Sequence, residues 1–320
     1  MLRTRMTEMF GVDHPIMQGG LQWVGTADLV SAVANAGAMG FITALSFESP
    51  ERLRAEIRRC RELTDRPFGV NITLLPTMRP PDYPAIVRVV VEEQVSWVET
   101  AGNDPRDLLP ALRGGGVRVA HKCTAVRHAR SAVARGCDAV IIDGFECAGH
   151  PGEDDVTSLV LIPLAAEALA VPVIASGGFG DGRGLVAALA LGADGINMGT
   201  RFLATVEGGA LPVNKNRILD SSDEDTRVSR AYTGKTLRAS YNKFHDLWDG
   251  SGLEPLPFPT QVLISSALLA SFIEGRKDEY VGGLAGQVSG LIKELKPAKQ
   301  ALEEMVEEAV EILTKRLPAA

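Results

Sequence analysis

A histidine in a glycine-rich segment is the first residue whose type and setting could support chemistry. His150 lies in DGFECAGHPG, residues 143–152, and is one of five histidines in a chain of 320 residues. Histidine is the side chain best suited to proton transfer near neutral pH, because its ordinary pKa lies close to that range. His150 is therefore a candidate catalytic base. The alternative is a loop histidine that only bonds to the backbone or contacts a phosphate group.

A lysine is the second candidate. Lys122 directly follows Arg118–His121, a short segment with the character of a strand. A cation at the end of such a strand can stabilise negative charge, for example that of a reduced flavin. The alternative is a lysine that is paired with a neighbouring carboxylate.

Glycines follow two later apolar runs. One segment reads Ser176-Gly177-Gly178 and the other reads Gly199-Thr200. Glycine lets backbone N–H groups approach phosphate oxygens closely, and the N-terminus of a following helix adds positive potential. Both segments are therefore predicted to bind a phosphate group. Tight turns that need glycine for backbone reasons alone would produce the same pattern.

A loop near the N-terminus carries apolar and amide side chains. Gly20, Leu21 and Gln22 follow the run that ends at Gln18. They could lie against a flat ring and its polar edge, or they could form an ordinary loop. The histidines and the four cysteines have no spacing that suits zinc, so no metal site is predicted.

These candidates all come directly after short apolar runs, which alternate with helix-like segments at intervals of roughly 25 residues. Such alternation implies parallel strands with right-handed crossovers. Eight units favour an α/β fold of the (β/α)8 or TIM-barrel type, whose working groups lie in the loops after the strands. An open, doubly wound sheet is the alternative. The predicted strands are Pro15–Gln18, Met39–Thr43, Phe68–Ile72, Trp97–Thr100, Arg118–His121, Ala139–Asp143, Val173–Ala175 and Gly195–Met198.

Three helix-like segments have clear boundaries. Thr26, Thr124 and Asp181 each precede such a segment, and each segment ends at a glycine. Short polar side chains satisfy the free N–H groups of a first helical turn, and glycine adopts the left-handed conformation that ends a helix. We therefore expect helices to begin directly after these three residues.

The chain changes character after residue 206. We predict that residues 1–206 form the barrel and that residues 207–262, which are polar and weakly periodic, form an irregular helical cap insertion over its mouth. Residues 263–320 are predicted to form helices that pack back on the barrel. The two helical patterns here are Val262–Glu274 and Lys299–Leu317, of which the second is amphipathic.

Composition narrows the class of protein. Hydrophobic residues make up 45% and charged residues 23% of the chain, which suits a sizeable buried core. The net charge is -7 and no basic patch stands out, so nucleic acid and membrane surfaces are not expected as partners. The N-terminus lacks the apolar core of a signal peptide, and no CxxC pair occurs. We therefore expect a cytoplasmic protein with reduced thiols.

Together these segments resemble the nitronate monooxygenase family, formerly called the 2-nitropropane dioxygenases. The resemblance runs from the N-terminus to about Glu207. It covers PIMQGGLQWVG, RPFGVNITLLP, VETAGNDP, HKCTAVRHA, DGFECAGHPGEDD, IASGGFGDGRGLVAALALGAD and NMGTRFLAT. VETAGNDP, HKCTAVRHA and GFECAGHPGEDD look closest to a bacterial subgroup that acts as NADH:quinone reductase. Near the C-terminus the matching segment is GLAGQVSGLI.

The resemblance implies a flavoprotein that binds FMN without a covalent link. It also implies that His150 corresponds to the proposed catalytic base of the monooxygenases. It implies that the flavin ring is contacted by Gly20, Leu21 and Gln22. It implies that the ring edge and ribityl chain are contacted by Thr73, Lys122 and Ala148. The phosphate would be held by Ser176, Gly177, Gly178, Gly199 and Thr200.

The activity implied by the resemblance is oxidation of alkyl nitronates with O2 through a flavin semiquinone. His150 would act as base or anchor the anion, and Lys122 would stabilise the anionic flavin. A close alternative is NAD(P)H:quinone reduction on the same FMN, with the proline-rich segment Leu74–Pro84 as a stiff gate over the ring. Enoyl-thioester reduction is a further alternative, as is a barrel that binds FMN or a phosphate ligand without turnover. Small-molecule substrates are expected, and a homodimer is left open.

Overall fold

Within residues 2–317, which the computed structural model describes, eight parallel strands form a closed barrel in chain order. The prediction of a TIM-type barrel is confirmed. The strands are β1 (Ile16–Gln18), β2 (Met39–Thr43), β3 (Phe68–Leu74), β4 (Trp97–Gly102), β5 (Arg118–Cys123), β6 (Ala139–Asp143), β7 (Val173–Ser176) and β8 (Gly195–Met198).

Three predicted strands have the predicted bounds, and the others differ by one or two residues at one end. The differences lie mainly at the C-terminal ends of β3, β4 and β5. Pairing continues there to Leu74 opposite Gly102 and to Ala101 opposite Lys122. Polar residues such as Lys122 look like loop residues in the sequence, but parallel neighbours complete their backbone hydrogen bonds. The barrel rim therefore extends further than the apolar runs suggest.

The helices either cover the barrel or belong to the segment between residues 207 and 297. They are α1 (Arg5–Phe10), α2 (Ala27–Asn35), α3 (Pro50–Leu63), α4 (Tyr83–Glu92), α5 (Leu109–Gly114), α6 (Val126–Ala134), α7 (Ser158–Ala168), α8 (Gly182–Ala190), α9 (Thr200–Leu203), α10 (Pro212–Asp220), α11 (Lys243–Ser251), α12 (Thr260–Glu274) and α13 (Ala298–Glu311). The four cysteines have free thiols and are all buried. No helix in residues 2–317 has the length and apolar character needed to cross a membrane.

Two of the three predicted helix starts are confirmed. α2 begins directly after Thr26, and α8 begins directly after Asp181, whose carboxylate accepts a hydrogen bond from the Gly184 amide at 3.0 Å. The prediction for Thr124 was wrong by one residue, because Ala125 is the N-cap of α6. Ala125 is buried, and its burial overrides the preference for a polar cap.

The bottom of the barrel is closed by the N-terminal helix. Met6 and Phe10 of α1 pack against Phe41 and Trp97 at the N-terminal ends of the strands. The rings of Phe10 and Trp97 meet edge to face with centroids 4.6 Å apart. Because this end is filled with apolar side chains, only the C-terminal end of the barrel offers space for polar groups.

The last βα unit is interrupted. β8 is followed only by the short α9, and the eighth position in the helix ring is taken by α13, which packs between α8 and α2. Residues 207–297, here called the cap, lie between these two helices. Thr205 forms a parallel bridge with Lys296, so the cap leaves and returns at neighbouring points of the barrel.

The cap contains a hairpin that the sequence analysis missed. β9 (Thr226–Ser229) and β10 (Leu237–Ser240) pair antiparallel. Their side of the cap has its own apolar cluster, which includes Tyr232 and Phe244 and is covered by Leu268 and Phe272 of α12. α12 therefore packs on the cap, whereas it was predicted to pack on the barrel. The predicted boundary after residue 262 lies inside α12.

Candidate active site

Three polar side chains from neighbouring strands meet inside the C-terminal end of the barrel. The Glu99 carboxylate on β4 lies 2.9 Å from Lys122 Nζ on β5, and it accepts a hydrogen bond from Asn71 Nδ2 on β3 at 3.2 Å. The Gly20 amide, in the loop after β1, donates to the same carboxylate at 2.5 Å. Glu99 is fully buried. One carboxylate thus connects β1, β3, β4 and β5.

Lys122 keeps its charge in this setting. Burial acts to lower the pKa of Lys122, but the negative charges of Glu99 and Asp143 outweigh it and raise the pKa above its ordinary value. Burial raises the pKa of Asp143, and the Lys122 charge opposes that shift. The barrel mouth therefore contains a permanent cation between two carboxyl groups. The alternative prediction for Lys122, a lysine paired with a neighbouring carboxylate, is confirmed by its ion pair with Glu99.

A second set of polar side chains lies on β6, β7 and β8, which complete the barrel between β5 and β1. Asn197 Nδ2 donates to Ser176 Oγ at 2.9 Å. Asn197 Oδ1 and Asp143 Oδ1 are buried and have no hydrogen-bond partner among residues 2–317. Buried polar atoms without partners are costly in a folded protein. Their presence here indicates a site that a polar ligand completes.

Glycines allow close approach around this site. A Cβ atom on Gly20 would lie 2.2 Å from Asn71 Cγ, so a larger residue there would have to displace the Asn71 side chain. Gly177 has φ of 93°, and a Cβ atom on it would lie 2.7 Å from the Gly144 carbonyl oxygen. The loop after β1 thus has little space beside Gly20, whereas Gly177, in the loop after β7, needs glycine for both space and backbone conformation.

The predicted phosphate segments lie side by side after β7 and β8. The Gly178 amide donates to no acceptor among residues 2–317. Leu21 lies against Gly199, so the loop after β1 adjoins the same region. Thr200 Oγ1 accepts a hydrogen bond from the Gly286 amide at 3.0 Å, which brings a cap residue to the site. The arrangement can hold an anionic group close to backbone amides.

His150 lies where the cap meets the barrel. Its Nε2 shares a hydrogen bond with Thr233 Oγ1 at 3.0 Å, and its ring meets Phe258 edge to face at 5.9 Å. Burial, assisted by the positive charge of Lys235, lowers the pKa of His150, while Glu153 opposes the shift. His150 is therefore neutral at pH 7. A neutral imidazole can accept a proton.

A cavity of about 490 Å³ lies at the C-terminal ends of β3 and β4, and its lining includes none of the polar residues described above. Its walls are mainly apolar and include Leu74, Pro76, Pro81 and Leu108 together with Pro259 of the cap. The predicted gate segment Leu74–Pro84 thus forms one wall. Tyr83, also in the wall, donates its hydroxyl to the backbone carbonyl of Thr73 at 3.0 Å. The cavity therefore adjoins the end of β3, where Thr73 was predicted to contact the cofactor.

The structure brings most of the predicted site residues to one end of the barrel. Gly20, Lys122 and Thr73 connect through Glu99 and Asn71, since Thr73 Oγ1 donates to Asn71 Oδ1 at 3.2 Å. Ala148 lies beside Gly286, the cap residue that bonds to Thr200. Gln22 is exposed and forms no side-chain hydrogen bond within residues 2–317. The roles of these residues as cofactor contacts stay predictions.

Several residues of the site were not identified from the sequence. Glu99 and Asn197 lie in VETAGNDP and NMGTRFLAT, which were recognised as motifs without a role for these two side chains. Asn71 precedes the predicted contact Thr73 by two residues, which is the spacing of side chains on one face of a strand. Thr233 carried no signal, because its contact with His150 spans 83 residues. No group of three or more metal-binding side chains occurs in residues 2–317.

Comparison with known proteins gives consistent results. The chain matches the family described as nitronate monooxygenase over residues 3–100 and 78–308. It is 31% identical to a nitronate monooxygenase of Pseudomonas aeruginosa, over 95% of this chain and 98% of that protein. The structure of FabK from Thermotoga maritima superposes with a TM-score of 0.87, at 36% identity and with 99% of each chain covered.

A further relative is named for a different activity. The chain is 40% identical to a (3aS,4S,5R,7aS)-5-hydroxy-7a-methyl-1-oxo-octahydro-1H-indene-4-carboxyl-CoA dehydrogenase of Rhodococcus jostii. That match covers 74% of this chain, and it spans only 65% of the length of the relative. Proteins similar in sequence to this chain are therefore named for more than one activity.

Proposed function

The chain belongs to the nitronate monooxygenase family, a family of oxidoreductases, and from this premise we propose that it is an FMN-dependent enzyme that oxidises alkyl nitronates with O2. The observation that carries the proposal is the buried polar site at the barrel mouth. It combines a charged lysine with unpaired buried acceptors, and a neutral histidine lies in the loop after β6, where the cap meets the barrel.

The residues of the site fit FMN. Asn197 Oδ1 and Asp143 Oδ1 are buried acceptors that need donors, and a flavin ring edge carries an N–H group. Gly20 lets the loop after β1 lie directly against the Asn71 side chain. The free Gly178 amide, in the loop after β7 where such barrels often bind phosphate, fits the phosphate end. The ring and the phosphate would thus lie across the strand ends from β3 to β8.

FMN, when bound, would supply the capacity to accept electrons from the substrate and pass them to O2. Lys122 is held as a cation where it can stabilise negative charge on such a group. The cap is attached at the barrel mouth, where the Gly286 amide bonds to Thr200 and the Arg238 backbone pairs with Gly149, and a cover in this place would limit the access of water.

His150 would handle the proton. Because its pKa is lowered by burial, the imidazole is neutral at pH 7 and can take a proton from the carbon of a neutral nitroalkane. Thr233 occupies its Nε2. The hydrogen bond to Thr233 also fixes the orientation of the ring.

The cavity beside the proline-rich segment supports a second candidate function. Its volume of about 490 Å³ exceeds what a small nitronate fills, and its walls are mainly apolar. This favours NAD(P)H-dependent reduction on the same FMN, with a quinone or an enoyl thioester as acceptor. The name of the Rhodococcus relative, a carboxyl-CoA dehydrogenase, agrees with a thioester as the acceptor in this second candidate function.

Anaerobic mixing separates the two functions. The purified protein should show the yellow absorbance of a flavin, which denaturation and chromatography would identify as FMN. Bleaching by propyl nitronate, followed by O2 consumption when air is admitted, would support nitronate oxidation. Fast bleaching by NADH or NADPH without nitronate turnover would reject it, and recovery of the colour with a quinone or with crotonyl-CoA would identify the acceptor. A colourless protein that takes up no FMN would contradict both functions.

The role of His150 is tested by replacing it with asparagine. His150→Asn should slow oxidation of neutral nitroethane by about 100-fold while leaving the oxidation of preformed nitronate much less affected. The wild-type rate with nitroethane should fall as the pH drops through the lowered pKa of His150, which lies below 6.5. His128→Asn, on the exposed side of α6, is the matched control. Equal nitroethane rates for wild type and His150→Asn would show that the base is another group.

A further inference from the structure

Glu99 is a buried carboxylate for which neither the sequence motifs nor the proposed mechanism supplies a role. Its side chain has an exposed fraction of 0%, and it lies in the middle of β4 inside the barrel. A buried charge is costly unless it is paired and hydrogen-bonded. A carboxylate in this position therefore calls for an explanation beyond packing.

The contacts of Glu99 all lead to residues that are expected to touch the cofactor. It accepts from the Gly20 amide at 2.5 Å and lies 2.9 Å from Lys122 Nζ. It accepts from Asn71 at 3.2 Å, and Asn71 in turn accepts from the Thr73 hydroxyl. Gly20, Thr73 and Lys122 lie on three different strand ends. Glu99 is the shared partner that fixes them relative to one another.

The charge of Glu99 acts on the same place. The Lys122 ammonium is enclosed in the barrel mouth, with 19% of its side chain exposed. In such a setting an opposite charge at 2.9 Å is screened much less than at the surface. Glu99 therefore adds to the raised pKa of Lys122, to which Asp143 also contributes, and at the same time offsets part of the positive potential of Lys122.

We infer that Glu99 is a positioning residue that holds Gly20, Asn71 and Lys122 in place and sets how strongly the site favours a reduced, negatively charged flavin. The part of this inference that concerns the flavin rests on the proposed function. The part that concerns the charge of Lys122 depends only on the protein.

The reduction potential of bound FMN tests the inference. Glu99→Gln keeps the length of the side chain and an acceptor oxygen but removes the negative charge. Lys122 is then less compensated, so the preference for reduced over oxidised FMN should rise about tenfold, equivalent to a shift of about 30 mV to more positive potential for a two-electron couple. The measurement is a spectroscopic redox titration against a reference dye.

The matched control is Glu93→Gln. Glu93 is also buried and ion-paired, with Arg54 and Arg58, but it lies in the outer helix layer at the end of α4. This variant should leave the potential unchanged. Glu99→Asp keeps the charge and shortens the side chain, so it should weaken FMN binding with a smaller change in potential. If Glu99→Gln and Glu99→Asp both weaken binding and neither shifts the potential, Glu99 is only a structural residue and the inference is wrong.

A titration without flavin keeps the two proposals separate. In the wild-type protein, the Lys122 signal of lysine labelled with ¹³C at the ε-carbon should remain that of an ammonium at pH values where exposed lysines, with a pKa of about 10.4, have lost their proton. In Glu99→Gln it should titrate at lower pH than in wild type. If Lys122 titrates together with the exposed lysines in wild type, the inference is overturned. A wild-type protein that binds no flavin would overturn the proposed function, whereas this titration would still decide the relation between Glu99 and Lys122.

Discussion

At the scale of single residues, the strand ends of the barrel alternate between two environments. Lys122 projects into the mouth, where Glu99 pairs with it. His121, its neighbour on β5, points the opposite way and shares a hydrogen bond of 2.8 Å with the Thr100 hydroxyl between the strands and the outer helices. Burial lowers the pKa of His121 to about 4, although the charges of Asp104 and Glu99 oppose the shift. One strand thus holds one side chain charged and the next one neutral.

The neutral state of His121 predicts acid sensitivity. Its pKa is about 4 in the folded state and 6.5 in the reference state, so between these values the unfolded chain binds a proton that the folded chain does not. The contribution of the neutral His121 to the free energy of unfolding should therefore be at its maximum above pH 6.5 and should decline as the pH falls from 6.5 toward 4. The contribution of this one residue is about 3 kcal/mol over that window.

The measurement is urea denaturation of the wild-type protein and of His121→Gln at pH 7.5 and pH 4.5. Glutamine does not titrate, so the variant should lose about 3 kcal/mol less between the two pH values than the wild type does. The exposed His128→Gln should lose nearly as much as the wild type, because the His128 charge is only a minor cause of the lowered pKa of His121. An equal loss in His121→Gln and wild type would mean that other groups cause the acid sensitivity.

At the scale of elements, the helices depend on their caps to different degrees. The Asp181 carboxylate bonds to the Gly184 amide in the first turn of α8, whereas Thr26 precedes α2 without a side-chain bond. Both residues were predicted as caps from the same pattern. α8 directly follows the phosphate segment after β7, so the start of this helix also positions Gly177 and Gly178.

A pair of alanine substitutions separates these two caps. Asp181→Ala should lower the free energy of unfolding by about 1 kcal/mol, because the Gly184 amide loses its acceptor. Thr26→Ala should change it by no more than a few tenths of a kcal/mol. Chemical denaturation at one pH measures both. Equal losses would show that the hydrogen bond seen at Asp181 does not determine the contribution of the cap.

At the scale of the whole molecule, the cap is fastened to the barrel near the candidate base. Gly149 and Arg238 form an antiparallel bridge, with backbone bonds of 3.0 and 2.7 Å. The Arg238 guanidinium also donates to the Phe145 carbonyl at 3.1 Å, and Glu153 pairs with Arg230 at 2.6 Å. Residues on both sides of His150 are thus tied to the hairpin of β9 and β10. Motion of the cap would change the surroundings of His150.

The contacts of Arg238 predict that the cap can open while the barrel stays folded. Arg238→Met removes the donors to the Phe145 carbonyl and to Thr226, a loss of about 2 kcal/mol. Hydrogen exchange should therefore speed up in β9, β10 and α11, while exchange in the barrel strands remains slow. Arg227→Met, which removes an exposed arginine from the same hairpin, is the control and should have little effect. Uniformly faster exchange in barrel and cap would contradict a separately opening cap.

The eight strands, the starts of α2 and α8 and the position of the site at the strand ends could be predicted from the sequence, because they depend on neighbours along the chain. Apolar runs such as Ala139–Asp143 specify a buried strand wherever they occur. The hairpin in the cap was missed, since β9 and β10 are short and the connection between them lacks a two-residue turn. The position of α13 in the helix ring was also not evident, because the chain reaches it only after the cap.

The candidate site residues also differ in whether the sequence or only the tertiary structure reveals their contacts. By itself the sequence determined that His150, Lys122 and the glycine segments follow strand ends, and hence that they face one end of a barrel. Only the tertiary structure decided that Glu99 joins Gly20, Asn71 and Lys122, and that Thr233 of the cap bonds to His150. The physical reason is that these contacts form between strands and loops far apart in the chain, so they exist only once the barrel has closed and the cap has returned to it.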